Sequence, residues 1–387
     1  MTDVTIAGVG MHPFGRFEGV SATDMGVVAV RRALDEAGVG RGGFQAAFCA
    51  TAYGGVASGH KVLGALGMTG TPIVDVEAGC ASGAAALMLG ASAIEAGQYD
   101  TVVVFGVEKM PKGIIRSSFF EPWQEEAGFA ATPAYFALRA QRLMAGSGVT
   151  KEHLAAVVVK NRANGVGNPD AMFRSPVDAA AVLGSRVVCE PLHLWMLCSP
   201  NEGAACVVLR GGGGAGTGGG AGAGAGGTVR VAAAVLRSHL PGAVLSESTP
   251  MSGLVDDTIP SPSTLAADAA YEAAGIGPRD LDVVECQDTD AARELLAYEE
   301  LRLCPPGGAA GLLERGDSAP GGALPVNPSG GLLAKGEPLG ASALGQVVEL
   351  VHQLRGRAGE RQVDGARVGL AHTVGRGANA GVVVLVR

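Results

Sequence analysis

The chain has 387 residues, enough for one large domain or two medium ones. A formal net charge of -8 argues against a nucleic-acid or anionic-membrane surface. Its seven cysteines show no CxxC and no Cys/His pairing at metal-ligand spacing, as expected of reduced thiols in a cytoplasmic protein with no metal site.

The start, MTDVTIAGVG, has no basic n-region and reads as a strand, so no signal peptide is expected. AVRRALDEAGVGRGGFQAAFCA then gives a helix of apolar i, i+3, i+4 spacing, a Gly-Val-Gly stop, a charged loop and an apolar strand. The next stretch, DVEAGCASGAAALMLGASAIEAGQYD, puts Cys80 at the head of a small-residue helix over Gly83 to Gly97. Its apolar run, Ala81 to Ile94, is too short to span a bilayer. An apolar strand, Thr101 to Gly106, follows.

Between Pro111 and Arg174 an insertion gathers Phe119, Phe120, Trp123, Phe129, Tyr135 and Phe136, in a chain only 4% aromatic. Such a lobe lines an apolar pocket, makes a subunit contact or holds a small core of its own. Residues 211–227, GGGGAGTGGGAGAGAGG, cannot pack and read as a flexible tether or an enlarged surface loop, spanning roughly 20–25 Å. Beyond it VRVAAAVL, then DAAYEAAGIGPRDLDVVECQ, a helix over Gly340 to Leu354 and a strand over Arg367 to Ala371 repeat the earlier order. Two α/β halves, 1–210 and 228–387, imply an internal duplication with sheets covered on both faces.

A helix N-terminus offers unpaired N–H groups and partial positive charge, which favours a thiolate. Gly79, Ala81, Ser82 and Gly83 around Cys80 leave room for a substrate. Cys80 is therefore built like a nucleophile; the competing reading is a buried cysteine packed among alanines.

VEAGCASGAAALMLGASAIEAGQYDTVVVFGVEKM resembles the nucleophile segment of thiolases, especially the sterol-carrier-protein-x type. NPSGGLLAKGEPLGAS, from Asn327, resembles that family's NPSGG…GHPxGAT segment, and GLAHTVGRGANAGVVVLV its closing strand-turn-strand. The start and the span NPDAMFRSPVDAAAVLGSRVV are similar too, so the resemblance covers nearly the whole chain apart from the glycine tether. It implies α/β architecture of the thiolase fold: duplicated βαβαβαββ halves in a five-layered αβαβα body, with the lobe over the active site. It also implies a homodimer or tetramer. A small OB-fold/zinc-ribbon partner protein is known for some thiolase-like proteins.

Thiolases use a nucleophilic Cys, a His in GHP, an Asn or His opening NEAF or HDxF, and a second Cys as acid/base. Cys80 matches the nucleophile, and Glu337 stands at the GHP histidine. Gln287 opens the NEAF/HDxF position, where its amide is expected to hold water or substrate. The two family locations of the second thiol carry Thr289 and Thr373. Gly375 matches the glycine whose N–H completes the oxyanion hole. His372 is expected to be structural, and His193 to belong to the core.

A carboxylate at 337 repels an enolate and disfavours ionisation of Cys80, so its work is expected after acylation. There it serves as general base for an amine or hydroxyl attacking the acyl-Cys, unless it has turned away from the site. The resulting expectation is an acyltransferase. Cys80 takes an acyl group from a CoA or carrier-protein thioester, itself a substrate with no other cofactor, and passes it to nitrogen or oxygen. Carbon–carbon chemistry with a rewired base and a non-catalytic partner subunit are the alternatives. Lys109, Lys112, Arg116, Arg139, Arg142, Lys160 and Arg162 are candidates to meet CoA phosphates or an acidic carrier.

Overall fold

Two stretches that repeat one plan fold into two half-sheets with one strand order. The computed structural model describes residues 3–68, 70–113, 115, 122–127, 132–212, 227–240, 258–375 and 379–387. The first half runs β1 (Val4–Gly15), α1 (Ala22–Ala37), β2 (Ala46–Ala50), α2 (Ser58–Ala65), β3 (Ile73–Val76), α3 (Ser82–Glu95) and β4 (Thr101–Lys109). An excursion then carries α4 (Pro122–Glu126), α5 (Thr132–Ser147), α6 (Lys151–Asn164), α7 (Ala179–Gly184) and a hairpin of β5 (Val187–Cys189) with β6 (Leu192–His193). Strand β7 (Glu202–Gly211) closes the half. The second half has β8 (Val229–Ser238), α8 (Pro262–Ala274), β9 (Val283–Cys286), α9 (Ala291–Glu300) and α10 (Ala309–Glu314). It ends with α11 (Gly331–Lys335), α12 (Leu339–Leu354), β10 (Val368–Val374) and β11 (Asn379–Val386).

The strands form a nine-stranded sheet in the order β3-β2-β4-β7-β1-β8-β11-β10-β9. Read outward from the middle, each half goes first strand, last strand, penultimate strand, second strand. The pairing signs agree as well. β7 is antiparallel to β1 and β4, as β11 is to β8 and β10, while β2–β4 and β9–β10 are parallel. Among the described residues, the half-sheets are joined by strand pairing where Thr5 pairs Arg230 and Ile6 pairs Val229. At the outer edges they differ: β3 is half exposed, whereas β9 is buried and flanked by a single bridge from Val284 to Val326.

Local sequence sets the outer helices. Ser21 and Asp24 form a capping box on α1, and Gly38 closes it in the left-handed region; Ser261, Pro262 and Gly275 do the same for α8. Helices α3 and α12 follow another logic. Both are buried, as a central-layer helix must be; α3 is small and apolar nearly all round, while α12 also buries Gln346, Glu349 and Gln353. α3 packs on β2 and β4 of its own half and on β8 and β11 of the other; α12 touches β9, β10, β4 and β7. With α1 and α2 outside one half-sheet and α8 outside the other, the layers are α-β-α-β-α. Small residues permit this spacing: a Cβ on Gly106 would lie 2.1 Å from the Gly340 carbonyl at the head of α12.

The excursion between β4 and β7 spans 110–201, because the aromatic clustering that marks it thins out after Phe173. Of its aromatics, Tyr135 is buried with its ring 6.0 Å from that of Phe136, and Trp123 is exposed. Phe119, Phe120, Phe129 and Arg116 lie outside the described residues, as do 213–226 of the glycine run.

Candidate active site

Cys80 and Glu337 hold the same place in the two halves. Cys80 comes two residues before Ser82, the first residue of α3, and Glu337 two before Leu339, the first residue of α12. The central layer brings both helix heads to one point, where the two residues are 6% and 5% exposed. Gly336 makes the turn into Glu337 with φ +82, and a Cβ there would meet Asn201 Nδ2 at 2.0 Å, so only glycine fits.

A third residue joins them. The segment from Leu197 to Asn201 runs between the two halves of the site like an irregular strand. Its Cys198 N–H donates to the Thr289 carbonyl at 2.8 Å, and Glu337 N–H donates to the Ser199 carbonyl at 2.9 Å. This places the Cys198 thiol 3.3 Å from Glu337 Oε2 as a donor. Gln287 Nε2 donates to the other oxygen at 2.8 Å, and the Cys80 thiol also hydrogen-bonds the carboxyl. Burial pushes the Glu337 carboxyl above the ordinary carboxylate range, against the pull of the three donors. Burial, then the Glu337 charge, holds the Cys198 thiol well above the usual thiol range. Glu337 has therefore not turned away.

Two expected roles are corrected. Gln287 turns its amide first to the protein. One N–H of its nitrogen goes to Glu337, and its oxygen accepts from the Val374 N–H and lies 3.2 Å from the Thr373 hydroxyl. It lines the cavity as a clamp on Glu337. Gly375 N–H donates to the Asn379 carbonyl at 2.6 Å, closing the β10–β11 hairpin, so in this conformation that donor is not offered to an oxyanion. Residues 376–378 of this turn lie outside the described residues.

Thr373 sits by Cys80, its hydroxyl 3.2 Å from the Cys80 carbonyl. Thr289 instead donates to Asp290 at 3.2 Å. His372 is fully buried against the Ser263 hydroxyl at 2.9 Å, and His193 Nδ1 lies 2.7 Å from the Ser185 carbonyl; both are structural. The residue that sequence reasoning missed is Cys198. PLHLWMLCSPNEG surrounds Cys198 with mostly apolar company, and no spacing ties 198 to 80 or 337.

A cavity of about 660 Å³ opens over this constellation. Cys80, Cys198, Gln287 and Glu337 form part of its wall, and the excursion supplies Phe136 and Phe173. Of the cations expected to face a donor, Arg139 and Arg162 reach it. Lys109 is held by Glu202 and the Val20 carbonyl, and Lys160 by Glu294. Among the described residues no group of three His, Cys, Asp or Glu is placed to hold a metal, and no helix is long and apolar enough to cross a membrane.

Two family descriptions match the chain: "Thiolase, N-terminal domain" over residues 4–189 and "Thiolase C-terminal domain-like" over 245–387. The chain is 33% identical to sterol carrier protein 2 of Gallus gallus, across 97% of this chain and 70% of that protein. It is 34% identical to an acetyl-CoA acetyltransferase of Methanothermobacter thermautotrophicus, across 97% of both. The solved Ltp2-ChsH2(DUF35) aldolase superposes with a TM-score of 0.83 at 21% identity, over 99% of this chain and 98% of that one.

Proposed function

From the premise that the chain belongs to the thiolase family, we propose that it is an acyltransferase working through an acyl-Cys80 intermediate, with Glu337 as its proton carrier. The observation that carries this reading is one buried carboxyl hydrogen-bonded to the Cys80 and Cys198 thiols in the wall of the cavity. As the Cys80 sulfur attacks the carbonyl carbon of a CoA or carrier-protein thioester, its proton passes to Glu337. The donor thiolate leaves and takes that proton. In the second half a nitrogen or oxygen nucleophile attacks the acyl-Cys, gives its proton to Glu337, and Cys80 leaves as thiolate and recovers it. Burial raises the carboxyl, which makes it a stronger proton acceptor than an exposed carboxylate. The contact with the Cys80 thiol adds the first half-reaction to a role otherwise expected only in the second.

The relatives named as acetyl-CoA acetyltransferase and aldolase favour a second reading, carbon–carbon chemistry, and Cys198 is the specific observation for it. A thiol on Glu337 supplies the acid/base sulfur that Thr289 and Thr373 lack. We extend three further expectations to this chain: a cytoplasmic homodimer, no resident cofactor, and a small partner of the kind suggested by the DUF35 component in the aldolase title.

Intact-mass spectrometry after exposure to short-chain acyl-CoA thioesters tests the intermediate. One added acyl mass, lost in Cys80→Ala, is expected; an adduct that persists in the variant, or none with any thioester, overturns the proposal. Cleavage of acetoacetyl-CoA by added CoA, abolished in Cys198→Ala, decides for the carbon–carbon reading.

A further inference from the structure

The inner wall of the cavity holds more arginine donors than its own acceptors satisfy. Five described lining residues, Arg16, Arg139, Arg162, Arg186 and Arg293, are arginines and none is lysine. Arg16 spends its guanidinium on the Met110 and Pro111 carbonyls and Glu202, and Arg186 is exposed. The other three face inward. Arg139 pairs with Asp290, whose second oxygen accepts the Arg293 backbone N–H at 3.0 Å. The Arg293 side chain, 5% exposed, pairs with Glu300 through one terminal nitrogen and leaves its Nε buried with no hydrogen-bond partner. Arg162 lies 4.1 Å over the Phe173 ring, its Nη1 buried and also without a partner.

A buried charged donor left unpaired is destabilising. Both residues line the cavity, so an anion entering it meets two guanidinium groups that the protein's own acceptors do not fully satisfy, and the planar fork of arginine matches a carboxylate. Burial and the charge of Arg139 hold the Arg293 guanidinium down at about 10, which a bound carboxylate would relieve. Distance along the chain is short: Leu197 bridges Asp290, one residue before Cys198 reaches Glu337. Phe136 and Phe173 give the intervening space an apolar wall.

We propose that the cavity selects acyl thioesters whose acyl chain ends in a carboxylate, with Arg162 and Arg293 as its receivers; this rests on the acyl-thioester reading of the site. The phosphates of CoA are the other anion that these donors would meet, and the test separates the two. In Cys80→Ala protein, where the thioester is not consumed, calorimetry compares succinyl-, glutaryl- and adipyl-CoA with butyryl-, pentanoyl- and hexanoyl-CoA. At least one carboxylate-ended thioester is expected to bind about 10-fold tighter than its methyl-ended counterpart. Arg162→Gln, the less buried position and so the safer substitution, is expected to cut that ratio to about 2-fold and leave the methyl-ended series unchanged. Equal binding of the two series, or an Arg162→Gln loss falling equally on both as a phosphate contact would, overturns this inference and leaves the acyl-thioester reading standing. No binding by any of these thioesters overturns both.

Discussion

The heads of α3 and α12 occupy equivalent places in a duplicated body, yet they are finished differently. Neither N-cap, Ala81 or Pro338, makes a side-chain cap, and neither first turn holds an acidic residue. At α12 a buried carboxylate answers the helix end from outside. Glu108 on β4 accepts the Gly340 N–H at 3.2 Å, along with the N–H groups of Ala52 and Tyr53. At α3 the nearest turn closes on itself, with the Ser82 hydroxyl donating to the Gly79 carbonyl and accepting the Ala78 N–H. The positive end of α3 is thus left without a carboxylate, which under the proposed mechanism favours charge on the Cys80 sulfur, while α12 has its end offset by Glu108. Under the proposed mechanism, one position repeated in the two halves serves as nucleophile in the first and as proton carrier in the second.

Two substitutions, read in three measurements, break or sharpen that division. Glu337→Gln keeps the shape and removes the carrier, so both acylation and release are expected to slow, release by about 10²–10⁴-fold. Single-turnover kinetics separates the two steps. Unchanged release would reduce Glu337 to a bystander and dissolve the comparison. Gly106→Ala drives a methyl into the Gly340 carbonyl and displaces only the α12 head. It is expected to cost about 1–3 kcal/mol in denaturant unfolding. If Cys80 still acylates in it while release slows, the two heads work as separate parts.

The smallest effect is electrostatic. A carboxyl whose folded pKa exceeds its unfolded value costs nothing below the ordinary carboxyl range, where both states are protonated. It removes stability as pH rises from that range through the folded value. Glu337→Gln abolishes this cost, so its melting temperature should gain on the parent by about 2–4 °C between pH 4 and pH 8. The other raised carboxyls, Glu108, Glu285 and Asp288, are common to both proteins and cancel. A gap that shrinks with rising pH would mean that the carboxyl is ionised and stabilising in the folded protein.

Much of this site was legible in sequence because it is built on periodic elements. The small-residue helix announced Cys80, and its repeat after the glycine run announced the two-half body. Glu337 was found through the motif around it. What could not be read depends on contacts without local pattern. Cys198 reaches Glu337 across 139 residues, through a segment that is neither helix nor regular strand. The fates of Gln287 and Gly375 turned on which partner was nearer: the β10 backbone claimed the amide oxygen, and hairpin closure claimed the glycine N–H. Arg139 and Arg293 meet at Asp290 only because α5 folds back over α9.

The two-pair seam between β1 and β8 has a consequence for how the chain is born. During synthesis the first half leaves the ribosome with α3 resting on one sheet and its other face bare, because β8 and β11 do not yet exist. At about 5–20 residues per second, α12 follows on the order of ten seconds or more later. Through that interval the nascent chain carries the Cys80 thiol outside the layer that will shelter it. The thiol comes under cover only when the last helix docks.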